Sequence, residues 1–464
     1  MKTLQTFISF IVLSFLIIGC SKKSESQLFI GSTAIDTNTI VSNLNTPWEI
    51  LWGPDNHIWF TERAGRVNRL NPETGVNQLI ISIPEVYEFG EAGLLGMALH
   101  PDFNAEPYVY LVYNFLSGEF IKERLVRYIW NGSTLEQPEI LINNIPGNSY
   151  HDGSRILFGP DGKLYMSTGD AGSLTSPQNM NSLVGKILRI NPDGSIPEDN
   201  PTFASYIWAL GLRNSQGLVF SPEGRLYGSE HGPSNDDELN LLESGRNYGW
   251  PDVAGYCNLP AEIVFCDLNN VREPLTAWTP TLAVAGIDFY SHPDIPEWQN
   301  SVLMTTLKAG KLVSLRLSPD GLSVTEQADW FTGEWGRLRD ICISPDGRVF
   351  VAVSNRDGRG SPRPGDDRII EIKAIGSIGL AENPISKGII QINPNPVSPE
   401  TLVEVSERYV GAVFEIISYS GKIVSSGKIS HNQFKLETGK LKPGYYIFRI
   451  NGHVEPVSEP FIVM

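Results

Sequence analysis

A Pro-Asp-Gly-type turn followed by a short apolar, aromatic-bearing strand recurs along this chain, and its spacing constrains the fold more than any other feature. Pro54-Asp55-Asn56 leads into Ile58-Trp59-Phe60, and Pro101-Asp102-Phe103 leads, after a short insertion, into Tyr108-Val109-Tyr110. Pro160-Asp161-Gly162 precedes Leu164-Tyr165-Met166, Pro222-Glu223-Gly224 precedes Leu226-Tyr227, and Pro345-Asp346-Gly347 precedes Val349-Phe350-Val351. Proline presets φ in such a turn, and Gly or Asn accepts φ > 0. Successive prolines lie 47, 59, 62 and 123 residues apart. The last interval is two periods of about 61, a length that fits four strands with their loops. The skipped unit falls near Ile287-Asp288-Phe289-Tyr290, where the turn signal is degenerate. Six units over residues 40–375 predict a six-bladed β-propeller, and an array of β-sandwiches would not explain the period. Asn191-Pro192-Asp193-Gly194 and Ser318-Pro319-Asp320-Gly321 read as hairpins within blades.

The composition agrees. The 464 residues include 44 Gly and 32 Pro, 41% are hydrophobic, and only 19% are charged, which argues against coiled coil and disorder. The 36 Lys and Arg against 52 Asp and Glu give a net charge of −16 with no basic block, which excludes nucleic acid as the expected partner. Solubility accounts for this balance, and it is also compatible with bound calcium.

Both ends carry separate signals. Residues 7–18 are an apolar run about 12 residues long, too short to span a bilayer and suited to a signal peptide. It ends Ile17-Ile18-Gly19-Cys20, which resembles a lipobox, so residues 1–20 read as a lipoprotein-type signal peptide, with a lipid anchor on Cys20 and a linker over 21–39. An ordinary signal peptide with an incidental cysteine is the alternative, and both imply export to the cell envelope or surface. Cys257 and Cys266 flank a short excursion that suits a disulfide in an exported chain, and Cys342 reads as a core thiol. A linker over 376–388 precedes a second unit, 389–464, whose short alternating strands predict a small β-sandwich.

The seven histidines form no H-x-x-x-H or H-E-x-x-H pair, and no G-x-S-x-G, Walker A or G-x-G-x-x-G motif is present. Four clusters remain. His151 enters a strand from a polar loop, and Asp170 ends the next strand, where a carboxylate can hold the imidazole in one tautomer. The run 212–217 brings a fixed cation, Arg213, together with two amides, Asn214 and Gln216. Residues 232–238, rich in carboxylates and free carbonyls, suit a hard cation such as Ca²⁺. Arg337 and Arg339, two apart on a strand, share a face and with Lys308 make an anion site. Each cluster alone also reads as ordinary surface or turn chemistry. Together, on separate repeats of one ring, they suit a polyanionic cofactor held over a channel.

The strings around these residues carry a resemblance. The motifs at 151–162, 211–217, 229–238 and 247–251, with Gly93-Leu94-Leu95-Gly96 and His100-Pro101-Asp102-Phe103, resemble the soluble quinoprotein glucose/aldose sugar dehydrogenases, six-bladed propellers that use pyrroloquinoline quinone (PQQ) and Ca²⁺. The resemblance covers residues 40–375. It implies oxidation of an aldose at C1 to the lactone, with electrons passed to an external acceptor. His151 is then the base that takes the C1 hydroxyl proton, Asp170 its support, and Arg213 the group beside the quinone C5 oxygen. Asn214, Thr281, Lys308, Arg337 and Arg339 are implied cofactor contacts, and Glu91 stands where the glucose-specific enzymes carry Gln. Gly232 and Pro233 are implied to hold the cofactor calcium through carbonyls, and Glu238 and Tyr248 a second calcium. The aromatic expected over the cofactor is displaced by one position, to Trp278. Two other readings stay open, a non-catalytic carbohydrate-binding propeller and a calcium-dependent lactonase-like hydrolase. The C-terminal unit, through Asn393-Pro394-Asn395-Pro396, Ser420-Gly421-Lys422-Ile423-Val424 and the run 441–446, resembles the type IX secretion sorting domain and implies contact with secretion machinery.

Overall fold

The computed structural model describes residues 27–375, 390–393, 397–398, 401–418, 423–439, 441–442, 444–451 and 457–463. The signal peptide and lipobox read over residues 1–20, the linker over 376–388 and the Pro394 to Pro396 motif lie outside the described residues. Two compact units divide at Ile375 and Gly376.

The first unit is a ring of six antiparallel sheets. Their innermost strands are Pro47–Trp52, Leu94–Leu99, Gly153–Phe158, Ser215–Phe220, Val284–Tyr290 and Leu338–Ile343. Each packs against the next, and the last packs against the first, so the ring closes. Second strands such as Ile58–Glu62 and Val349–Val353 are buried along their whole length. Both of their faces are covered, which explains why they read as continuous rather than alternating apolar runs. The cores lie between neighbouring blades. Trp59, Met97 and Tyr113 join blades one and two, and Phe60, Cys342 and Phe350 join blades six and one. Cys342 is buried as expected, and burial pushes its thiol well above the ordinary range.

Each recurring turn connects the innermost strand of a blade to its second strand. In the fifth blade Ile287 to Tyr290 belong to the strand before the turn, and His292-Pro293-Asp294 makes the turn itself. An insertion that buries Trp298 then delays the second strand to Ser301–Thr306. The linker read over residues 21–39 requires correction. Thr33–Val41 pairs with Arg368–Ala374, and Leu28–Ile30 adds a fifth strand, so the N-terminal segment completes the sixth blade. The sheet edge left by a blade whose other strands come from the chain's far end needs such a partner. Cys257 and Cys266 form the disulfide, and Cys266 lies within a helix, Pro260–Asn269.

The second unit has a three-stranded and a four-stranded sheet enclosing Val403, Ile416, Phe448 and Phe461. This is the sandwich expected.

Inside the ring, polar groups tie blades across the channel. Arg155 of blade three meets Glu49 of blade one at 2.6 Å and Asp340 of blade six at 3.0 Å, and its Nε donates to the Gln216 carbonyl of blade four. Asp288 of blade five accepts the amide of Ile343 of blade six at 2.9 Å, and burial pushes its carboxyl up to about 7. The native state therefore holds this proton between roughly pH 4 and 7 while the unfolded chain has lost it. Stability contributed by the protonated form is present at low pH and is lost as pH rises through the folded value. One such group accounts for about 2–3 kcal/mol between pH 5 and 8. Urea titration of Asp288→Asn is expected to show a flatter dependence over this range than wild type. Identical slopes would refute the assignment.

Candidate active site

All six innermost strands begin at the same mouth of the ring, and each carries a register irregularity there, such as Gly153/Ile156, Ser215/Gly217 and Leu338/Asp340. Bulges at a rim re-aim side chains. They open a cavity of about 460 Å³ lined by side chains from every blade.

His151 sits at φ 59°, in the left-handed region that non-glycine residues rarely adopt. The end of the next strand holds it there. Ala171 N–H donates to the His151 carbonyl at 3.0 Å, and a Cβ at Gly169 would lie 1.8 Å from that oxygen, so only glycine fits. His151 Nδ1 pairs with Asp170 Oδ1 at 2.9 Å. Asp170, 2% exposed, also accepts Gly172 N–H at 2.7 Å and Trp250 Nε1 at 2.9 Å. Three donors thus converge on one buried carboxylate, which fixes the proton on Nδ1 and leaves Nε2 as an acceptor in a side chain that lines the cavity. The predicted pair is brought together.

Facing it is a cationic wall. Arg213, Lys308, Arg337 and Arg339 line the cavity, joined by Arg63 and Arg359. Arg337 Nε and Arg339 Nη2 share Asp357 Oδ2 at 2.7 and 3.4 Å. Arg339 is the residue at the bulge, 7% exposed, and burial lowers its guanidinium to about 10 despite Asp357. Burial pushes Asp357 up, but Arg339 and Arg337 outweigh it and hold the carboxyl below its usual range. Lys308 Nζ donates to Thr281 Oγ1 at 2.9 Å. Glu91 accepts Arg359 at 2.9 Å and the His151 amide at 3.4 Å. Burial raises its carboxyl, and His231, Arg359 and Arg339 together draw it below the usual value. Burial also pushes Asp152 up to about 8, so it is neutral at pH 7. Six cations against Glu91, Asp237 and Asp357 leave three positive charges.

Two expected contacts lie elsewhere. Asn214, 2% exposed, sits outside the cavity lining, and its Oδ1 accepts Gly153 N–H and Gln216 Nε2, both at 3.1 Å. The bulge at Ser215/Gly217 turns Gln216 into the cavity instead. Trp278 donates to Gln327 at 2.9 Å in the neighbouring blade, and the aromatic lining the cavity is Trp48.

Gly232 and Pro233 line both this cavity and a smaller adjoining one, with Glu238 and Tyr248 on the latter's wall. The loop folds over Gly232 so closely that a Cβ would lie 1.9 Å from the Asn235 carbonyl. Glu238 accepts Gly255 N–H at 2.6 Å and Asn240 at 2.8 Å, and burial pushes it up to about 8. The Tyr248 hydroxyl is committed to the Leu241 carbonyl and the Glu243 amide. Among the described residues no three His, Cys, Asp or Glu side chains converge as a metal cluster. A cation here would depend on main-chain carbonyls.

His231, Arg63, Asp357 and Arg359 had not been singled out from the sequence. Each follows the second strand of its blade, as Asp170 and Lys308 do. Equivalence between blades was the signal that would have found them.

Residues 44–362 match the glucose/sorbosone dehydrogenase family, and residues 391–464 the secretion system C-terminal sorting domain. The chain is 34% identical to quinoprotein glucose dehydrogenase B of Acinetobacter calcoaceticus, over 72% of this chain and 87% of that one. It is 28% identical to the aldose sugar dehydrogenase YliI of Escherichia coli, over 73% and 96%. The PQQ-bound aldose sugar dehydrogenase of Streptomyces coelicolor superposes with a TM-score of 0.66 at 32% identity, over 74% of this chain and 98% of that one.

Proposed function

The chain belongs to the glucose/sorbosone dehydrogenase family and is an enzyme that oxidises sugars, and we propose that it oxidises aldoses at C1 to the lactone with PQQ and Ca²⁺. The observation that carries the proposal is a carboxylate-held histidine opening on a cavity where six Lys and Arg outnumber the carboxylates. Three net positive charges suit a tricarboxylate quinone, and they disfavour the lactonase reading, which needs a carboxylate-rich centre.

Arg337, Arg339 and Lys308, with Thr281, would hold the cofactor's carboxylates, and the carbonyls of Gly232 and Pro233 its calcium. When bound, PQQ supplies the hydride acceptor. His151 Nε2 takes the proton of the anomeric hydroxyl. Asp170 keeps the imidazole in the accepting tautomer and stabilises the imidazolium that forms. Arg213, whose guanidinium lies 5.4 Å from the Trp250 ring centre, offers a fixed charge where negative charge develops. The sorting-domain match supports export, with the protein at the cell surface or secreted.

Titration of the purified protein with PQQ, with and without Ca²⁺, followed by dye reduction with several aldoses, tests this reading. Saturable uptake, calcium-dependent activity and a lactone product are expected. Uptake without sugar-dependent reduction would leave a binding propeller, and no uptake would remove the cofactor.

A further inference from the structure

The channel holds a second cavity, about 560 Å³, at the opposite mouth. Its walls are chiefly apolar, among them Leu51, Trp52, Met97, Leu157, Phe158 and Ile343, and its floor carries Glu49, Asp288, Asp340 and Arg155. The two cavities are nearly in contact. On the innermost strands Trp48 lines the first and Glu49 the second, Gly153 the first and Arg155 the second, Arg339 the first and Asp340 the second. One or two residue steps, about 3–7 Å along a strand, separate them. The septum is the Arg155 guanidinium stacked on Trp48, 4.3 Å from the ring centre.

We propose that this second cavity binds a small neutral quinone of the benzoquinone class, which takes there the two electrons removed from the sugar. The inference rests on the dehydrogenase reading above. Apolar and aromatic walls admit a planar ring. The floor's guanidinium, Arg155, is already engaged by Glu49 and Asp340, so it offers no free charge to an anionic acceptor, and a neutral one needs none. His100 and Asn56 at the wall offer hydrogen bonds to ring carbonyls. The chemistry balances. As the sugar's C1–H and O–H bonds break and C1=O forms, two electrons and two protons are released. The acceptor's two carbonyl oxygens take up two electrons and two protons and become hydroxyls. Glu49 and Asp288, whose carboxyls burial keeps protonated to higher pH than usual, stand where those protons are needed.

The test uses the PQQ-loaded enzyme with saturating aldose and two acceptors, methyl-p-benzoquinone and the trianion ferricyanide. Leu157→Trp fills a half-buried wall position far from His151 and is expected to lower kcat/KM for the quinone by about tenfold, with ferricyanide changed less than about twofold. In the cofactor-free protein, methyl-p-benzoquinone is expected to quench a component of tryptophan emission that Trp52→Phe removes. Equal effects on both acceptors, no effect on either, or quenching unchanged in Trp52→Phe would overturn the inference. Absence of sugar-dependent reduction of both acceptors in wild type would instead overturn the dehydrogenase reading.

Discussion

His151→Gln is expected to lower sugar-dependent dye reduction by about a thousandfold while PQQ uptake stays within about threefold of wild type. The imidazole lies outside the six-cation wall that attracts the cofactor, so cofactor affinity does not depend on it. Its Nε2 is the acceptor that the Asp170 bond at 2.9 Å leaves open toward the cavity, so proton removal does. Asp170→Asn separates positioning from chemistry. An amide at 170 presents a donor to Nδ1, the ring proton moves to Nε2, and the accepting tautomer is lost although the ring stays in place. Activity is expected to fall about a hundredfold or more, with binding of the sugar little changed. Trp250 Nε1 and Gly172 N–H then compete for one remaining oxygen, which lowers the melting temperature by a few degrees at most. Steady-state kinetics and PQQ titration on the three proteins check this. Full activity in His151→Gln would remove the base from the mechanism.

The propeller was legible because turn chemistry is local. Pro54, Pro160, Pro222 and Pro345 each announce a second strand within a few residues, and nothing distant is needed to read them. Blade five was placed by the period alone, and its turn at Pro293 escaped because the insertion that buries Trp298 parts it from the second strand. The closing strand escaped for another reason. Thr33–Val41 is half polar and buries only Ile35 fully, and its pairing with Arg368–Ala374 spans the whole ring, which no local pattern encodes. In the site, His151 and Asp170 were readable from their loops. Asn214 was not, because reading which side chains face the cavity requires alternation, and the bulge between Ser215 and Gly217 breaks it. The same irregularity sits beside Arg339, which nevertheless reaches the cavity and shares Asp357 with Arg337.

That shared carboxylate sets the expected result for the anion clamp. In Arg339→Met, PQQ affinity should fall about a hundredfold, the size of a lost charged hydrogen bond in a buried setting. Asp357 keeps Arg337 at 2.7 Å, so the variant leaves no buried carboxylate without a partner and is expected to fold. Lys308→Met should cost about tenfold at low salt and less at high salt, because Lys308 is exposed and screened. The Arg339 effect should persist in salt, because that guanidinium is 7% exposed. A pH dependence follows with a definite sign. Burial lowers Arg339 to about 10, so the empty site loses a positive charge as pH rises through that value. Wild-type affinity for PQQ should therefore decline between pH 9 and 11, and that decline should be shallower in Arg339→Met, which keeps Lys308 in the clamp. Fluorescence titration across this range at two ionic strengths measures both. Equal salt sensitivity in the two variants would place Arg339 on the surface rather than in the clamp, and an unchanged affinity in both would show that these cations do not hold the cofactor.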